Sequence, residues 1–224
     1  MADPFTPEDR AALVAASAAV ASSGLVVASS GNLSLRRGDH LLITPRRERL
    51  AQIDPADLVC VALEHGAVDP GHTTDSEPSS ETPLHRAVYA AVPDAGAVVH
   101  THSQFATVLS TLVEEIPPIH YVAATFGGAV RVAPYATFGS QELADNVAAA
   151  LHGRTAALMA NHGAIATAPT IELAVEQAQH LEWLASVYWH ARVFGAPAIL
   201  DGEHLDAVTE QSRTLRYAFT EGAA

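Results

Sequence analysis

The sequence predicts an α/β protein built in three layers, α/β/α, with helices on both faces of a mainly antiparallel sheet. Three observations predict it. Short apolar runs joined by tight polar turns fill the first half, as in LSLRRGDHLLIT and LVCVALEHGAV. Capped segments with helical apolar spacing interrupt them, without the strict strand–helix alternation of a parallel sheet. The 224 residues, 49% of them hydrophobic, suffice for one substantial core. Neither a repeat nor a linker divides them, so residues 1–224 read as one domain, with a mobile tail expected after about residue 200.

The elements follow in order. Thr6-Pro7-Glu8-Asp9 sets a cap, a first-position proline and first-turn acids, so PEDRAALVAASAAVASS is a helix stopped at Gly24. One hairpin turns at Arg37-Gly38-Asp39 and a second at His65-Gly66. A polar loop covers 69–79, and Ser79 or Ser80 is expected to cap a helix through ETPLHRAVYAAV, ended by Pro93. AGAVVHTHS is a strand buried on both faces, and QFATVLSTLV a helix. Residues 114–139 are rich in Gly and Pro and read as irregular. Ser140 caps QELADNVAAALHG. TAALMANHGAIAT reads as two short strands around an Asn-His-Gly turn, and Thr170 caps a long last helix with apolar residues at Ile171, Ala174, Val175, Ala178, Leu181, Ala185 and Tyr188.

Composition narrows the chemistry. A formal net charge of −13 repels nucleic acid and anionic membranes, so an anionic ligand needs local positive charge. No apolar run approaches the roughly 20 residues of a membrane span, and the acidic start MADPFTPEDR is no signal peptide. A single cysteine, Cys60, fits a reducing compartment, so the expected location is the cytoplasm. All 12 basic residues are arginine. A chain without lysine forms no Schiff base with a carbonyl substrate and has no P-loop lysine.

The stretch VVHTHS ends a strand with two imidazoles. A period of two puts His100 and His102 on one face, a bidentate platform for a metal. Two partly buried histidines bonded to carbonyls would look the same. His162, in MANHGAIA, also follows an apolar run, and Gly163 permits a tight turn that presents the ring. Glu81, in PSSETPLH, opens a helix, where an acid also suits the dipole. Three histidines and one glutamate form a donor set suited to Zn²⁺. HxH alone also occurs in unrelated metallohydrolases. The remaining histidines, including His85 on its helix, read as ordinary, although His120 could line a site.

SSGNLSLR (29–36), LLITP (41–45), PSSETPLH (78–85), AVVHTHS (97–103), IPPIHY (116–121), APYATFGSQELADNV (133–147) and NHGAIA (161–166) together resemble the class II, zinc-dependent aldolases of the L-fuculose-phosphate aldolase type. That family also holds L-ribulose-phosphate epimerases and adducin head domains. The resemblance covers roughly residues 8–195, and it rests on seven motifs in one order. It implies a lyase of carbohydrate metabolism that reversibly cleaves a phosphorylated ketose to dihydroxyacetone phosphate and an aldehyde. It implies Zn²⁺, or another divalent ion such as Mn²⁺ or Co²⁺, on His100, His102, His162 and Glu81. Glu81 would also serve as base, and Tyr121 as proton donor in a neighbouring subunit of a homotetramer with interfacial sites. Gly31, Asn32, Ser79 and Ser80 would hold the phosphate, with free N–H groups at the start of the Glu81 helix aimed at it. Tyr217, near the C-terminus, could also reach a site.

One departure bears on the substrate. After ITP the family usually carries a small pair ending in glycine, whereas this chain has Arg46-Arg47. The arginines could block the usual loop, could bind phosphate or carboxylate with forked hydrogen bonds, or could be solvated surface charge. A sibling epimerase, decarboxylase or dehydratase, and a non-enzymatic adducin-like module, are the alternative functions. Retention of all four metal-binding side chains argues against the module.

Overall fold

The computed structural model describes residues 3–69 and 74–215. The chain runs α1 (Pro7–Ser22), β1 (Asn32–Arg37), β2 (His40–Ile43), a 3-10 turn (Leu50–Gln52), β3 (Val59–Ala62), α2 (Thr82–Ala91), β4 (Ala97–Thr101) and α3 (Gln104–Ser110). It continues through β5 (Glu115–Ile116), a 3-10 segment (Tyr121–Phe126), β6 (Val130–Ala133), α4 (Gln141–Ala150), β7 (Ala156–Met159), β8 (Gly163–Ala168), α5 (Ile171–Phe194) and α6 (Gly202–Leu215). One sheet carries eight strands in the order β3-β2-β1-β4-β8-β7-β6-β5. Every neighbouring pair is antiparallel except β6 with β7. The three-layer, mainly antiparallel architecture expected from the sequence is the one observed.

Strand periodicity separates the layers. Val98 packs with Leu84, Val88 and Tyr89 of α2 and Val147 of α4. Its neighbours Ala97 and Val99 pack on the other face with Leu13 of α1, Leu109 of α3 and Leu181 and Leu184 of α5. All five residues of β4 are buried, as a strand with helices on both faces requires. Fully burying one such valine stabilises the fold by about 1.5–3 kcal/mol.

Local chemistry sets most ends. Thr6 and Asp9 form a reciprocal capping box at α1, and the side chains of Ser140 and Thr170 cap α4 and α5. Elsewhere the structure departs from the expectations. The second hairpin shrinks to an isolated bridge between Val61 and Val68. Helix α2 begins at Thr82, and neither Ser79 nor Ser80 is its N-cap; that position is Glu81, whose side chain makes no capping bond. The Gly- and Pro-rich stretch holds β5, a 3-10 segment and β6, too short for periodicity to reveal. Residues 202–215 form α6, and Leu205 packs on the α1/α3/α5 side of the core. Tyr217 lies outside the described residues.

Candidate metal centre

The site is built where β4 and β8, adjacent at the middle of the sheet, run out beneath the start of α2. His100, fully buried, sits on β4 with Asn32 of β1 as its cross-strand partner. Its Nδ1–H donates to the carbonyl of Ala164 on β8 at 2.9 Å. That bond fixes the ring and turns Nε2 inward, the usual arrangement of a metal-binding imidazole. His102 lies just past the strand, with its backbone N–H on the carbonyl of Leu25 at 3.1 Å.

His162 occupies the turn joining β7 to β8. Asn161 takes the left-handed conformation there (φ 56°), not Gly163 as the sequence suggested. Gly163 has a different duty: a Cβ would stand 2.2 Å from the carbonyl oxygen of Thr101, so only glycine lets β8 pass this close to β4. Gly31 is constrained similarly, with φ +79° and a virtual Cβ 2.8 Å from the His100 carbonyl oxygen.

The three rings form a near-equilateral triangle, with centroids 4.8, 5.0 and 4.9 Å apart. Nε2 of His100 is 3.0 Å from Nε2 of His102 and 3.1 Å from Glu81 Oε2. Nε2 of His162 is 3.4 Å from Glu81 Oε1. One ligand atom from each of the four side chains lies within 4.8 Å of all the others. A tetrahedral ion with bonds near 2.0–2.1 Å needs ligand edges of about 3.4 Å, close to these separations. Glu81 Oε1 is buried without a hydrogen-bond partner. A buried carboxylate oxygen left unsatisfied is costly, and a cation would satisfy it. The donor set therefore fits a divalent metal.

The electrostatics agree. Burial pushes the Glu81 carboxyl up, but His100, with His162 and the Asn32 amide, outweighs it and holds the group well below the usual carboxylate range. Burial, with His100 and His162, drives His102 down to about 4. Burial and His100 also lower His162. Burial opposes a proton on His100, yet the Glu81 carboxylate prevails and raises it. Glu81 thus favours a proton on His100, and an arriving cation competes with it for that nitrogen.

A cleft of about 290 Å³ opens beside the cluster and is lined by Gly31, Asn32, Arg46, Arg47, Ser79 and Ser80, together with Glu81, His102 and His162. The residues expected to hold the phosphate therefore line one cleft, with two differences from the expectation. The Asn32 side chain turns inward, its Nδ2–H donating to Glu81 Oε2 at 2.9 Å. The N–H groups of Glu81 and Thr82 both donate to Ser79, to its Oγ and its carbonyl, and Pro83 has none, so the start of α2 offers fewer free donors than expected. Arg46 pairs with Glu77 at 3.0 Å on the surface. Arg47 holds a left-handed backbone (φ 66°), the conformation glycine favours, and forms no ion pair among the described residues. Tyr121 is 59% exposed, stacks on His120 with centroids 4.3 Å apart, and does not line this cleft.

Sequence reasoning missed three buried groups behind Glu81, namely His85, Ser34 and Tyr89, and the cleft-lining Tyr135, Phe138 and Asn161. A signal existed for the first three. Glu81, His85 and Tyr89 recur at every fourth position of one helix face, and Asn32 and Ser34 share one strand face.

Comparison with known proteins agrees with this geometry. The pattern defining the Class II Aldolase and Adducin N-terminal domain family matches residues 11–189. The 5-methylthioribulose-1-phosphate/5-deoxyribulose-1-phosphate aldolase of Rhodospirillum rubrum is 41% identical, over 92% of this chain and 91% of its own. The L-fuculose phosphate aldolase of Escherichia coli K12 is 38% identical over 85% and 87%. A solved L-fuculose 1-phosphate aldolase superposes with a TM-score of 0.89 at 32% identity, covering 95% of this chain and all of its own. The chain belongs to the class II aldolase family, and its activity is that of a carbon–carbon lyase. Among the described residues, no helix is long and apolar enough to cross a membrane.

Proposed function

We propose that this chain, acting as one domain in the cytoplasm, reversibly cleaves a 5-deoxyribulose 1-phosphate-type ketose phosphate to dihydroxyacetone phosphate and a short aldehyde. The observation that carries the reading is the convergence of Glu81, His100, His102 and His162 on one point. The choice of ketose rests on the similarity to the R. rubrum enzyme and to the 5-deoxy-D-ribulose 1-phosphate aldolase of Bacillus thuringiensis, 34% identical over 91% of this chain. The phenyl ring of Phe138 in the cleft wall suits an aldehyde end that lacks a hydroxyl. L-Fuculose 1-phosphate is the second candidate, on the E. coli similarity.

Retro-aldol cleavage breaks the C3–C4 bond and leaves its electron pair beside the ketone. A divalent ion held by the three imidazoles, Zn²⁺ by its donor set, would supply the Lewis acid that a chain without lysine cannot replace with an iminium. The C4 hydroxyl loses its proton as the bond breaks, and Glu81 delivers a proton to C3. In the synthetic direction Glu81 removes that proton. Tyr121, directed at a neighbouring copy in a homotetramer, handles the hydroxyl proton. Arg47, Ser79, Ser80 and the backbone at Gly31 receive the phosphate. A positioned acid or base contributes about 10²–10⁴-fold, so most of the acceleration falls to charge stabilisation.

The test is a substrate panel on chelator-stripped and metal-restored protein. Stripping should abolish aldehyde release, and zinc, cobalt or manganese should restore it. His102→Ala should lose on the order of 10³-fold or more in turnover together with bound metal. Turnover by metal-free protein, or carbon dioxide or water loss in place of aldehyde, would refute the reading.

A further inference from the structure

Behind Glu81 a line of buried polar side chains runs between α2 and β1, beside the apolar cluster that α2 shares with β2, β3 and β4. Glu81 Oε2 accepts from Asn32 Nδ2 at 2.9 Å. Asn32 Oδ1 lies 2.5 Å from His85 Nε2, and His85 Nδ1 lies 2.7 Å from Ser34 Oγ. The Tyr89 hydroxyl reaches Ser34 Oγ at 2.8 Å and the Ser34 carbonyl at 3.1 Å. His85 and Ser34 are completely buried, and Asn32 and Tyr89 nearly so.

The pattern of donors has one neutral solution. An ionised Glu81 only accepts, so Asn32 must present its NH₂ to it. The amide oxygen then faces His85, whose Nε2 must carry the hydrogen. Burial drives the His85 ring down to about 3, so it is neutral, and its Nδ1 accepts from the Ser34 hydroxyl. Ser34 Oγ in turn accepts from Tyr89. Reversing the Asn32 amide would set its oxygen against a carboxylate and its NH₂ against the hydrogen on Nε2, two repulsions in a low-dielectric interior. The line therefore locks the amide one way round. It anchors one carboxylate oxygen, Oε2, and leaves Oε1 without a hydrogen bond on the side of His162.

We infer that Asn32 and His85 are positioning residues of the reaction: the Nε2–H of His85 locks the Asn32 amide, which anchors Glu81 through Oε2 and leaves Oε1 to exchange the proton with C3. The inference rests on the reading of Glu81 as the proton-transfer group. It assigns the Asn32 side chain to the carboxylate in place of the phosphate, and the two duties separate in kinetics. A phosphate ligand lost by Asn32→Ala raises KM with kcat kept, whereas a lost anchor lowers kcat with KM kept.

The experiment compares Asn32→Ala, His85→Leu, His85→Gln and Glu81→Gln at saturating zinc, with zinc affinity of the stripped proteins measured by chelator competition. Asn32→Ala and His85→Leu should each lose about 10–100-fold in kcat, with KM within about threefold of the parent. Zinc affinity should weaken by about tenfold in both. His85→Gln, whose amide can donate to Asn32 Oδ1, should recover kcat and zinc affinity to within about fivefold of the parent. If His85→Leu does not fold, Asn32→Ala carries the same test. Glu81→Gln should be inactive; if it turns over normally, the base assignment fails and the inference with it. If Glu81→Gln is inactive while Asn32→Ala and His85→Leu keep parental kcat, or Asn32→Ala raises only KM, the base assignment stands and the positioning role is wrong.

Discussion

Acidification should destabilise this protein through one buried ring. His85 is completely buried and pushed down to about 3, from an ordinary 6.5. At pH 5 the unfolded chain binds a proton at this position and the folded chain does not. Stability therefore falls as pH drops below 6.5, and the loss levels off only near pH 3. One pH unit is worth 1.36 kcal/mol. The roughly 1.5 units between 6.5 and 5 thus cost about 2 kcal/mol relative to pH 7. A marginally stable domain has only about 5–15 kcal/mol in total. Urea unfolding of chelator-stripped protein at pH 7 and pH 5, at one fixed protein concentration, measures the loss. The parent includes the other titrating groups as well, so the informative quantity is the difference from His85→Gln, which cannot titrate but keeps the bond to Asn32. The parent should lose about 2 kcal/mol more than the variant. Equal losses would mean that His85 is not a buried neutral ring, and the donor assignment of the whole line would fall with it.

Three further perturbations have expected outcomes. Gly163→Ala drives a Cβ into the Thr101 carbonyl oxygen, a backbone atom that cannot rotate away. It should cost about 1–3 kcal/mol in a thermal melt and weaken zinc binding by displacing His162. Arg47→Gly relaxes a left-handed backbone (φ 66°) and should leave stability unchanged or higher by up to about 1 kcal/mol. If Arg47 receives the phosphate, the same variant should raise KM for the ketose phosphate about tenfold at nearly unchanged kcat in a steady-state assay. Zinc affinity should fall on acidification beginning above the ordinary histidine value of 6.5, by up to about tenfold per pH unit, because His100, favoured in its charged form by Glu81 despite burial, must give up its proton to solvent before it can bind the ion; a chelator-competition titration between pH 8 and 5 would show the slope.

The four side chains of the candidate metal site were legible in the sequence because their spacing matches their elements. A period of two placed His100 and His102 together, and an apolar run before an Asn-His-Gly turn marked His162. Glu81 was legible as a candidate and as the opening of a helix, but not as its N-cap, since its side chain makes no capping bond there. The line behind it stayed hidden because each member has an ordinary local explanation: a helical histidine, a strand serine, a core tyrosine. Only the register of α2 over β1 brings them within hydrogen-bond distance. Strands β5 and β6 escaped because two and four residues hold too little periodicity. Gly163 was noticed for the wrong reason, since a close approach to another strand leaves no trace in local sequence.

The ligand cluster spans a long stretch of chain: Glu81 precedes α2, His100 and His102 end β4, and His162 enters β8. An ion seated there would staple the two middle strands of the sheet to the helix above them. Any ion that binds only the folded chain adds to its stability, by about 2.7 kcal/mol at one hundred times its dissociation constant. Scarcity of metal would then thin the folded population itself, as well as silencing the molecules that remain.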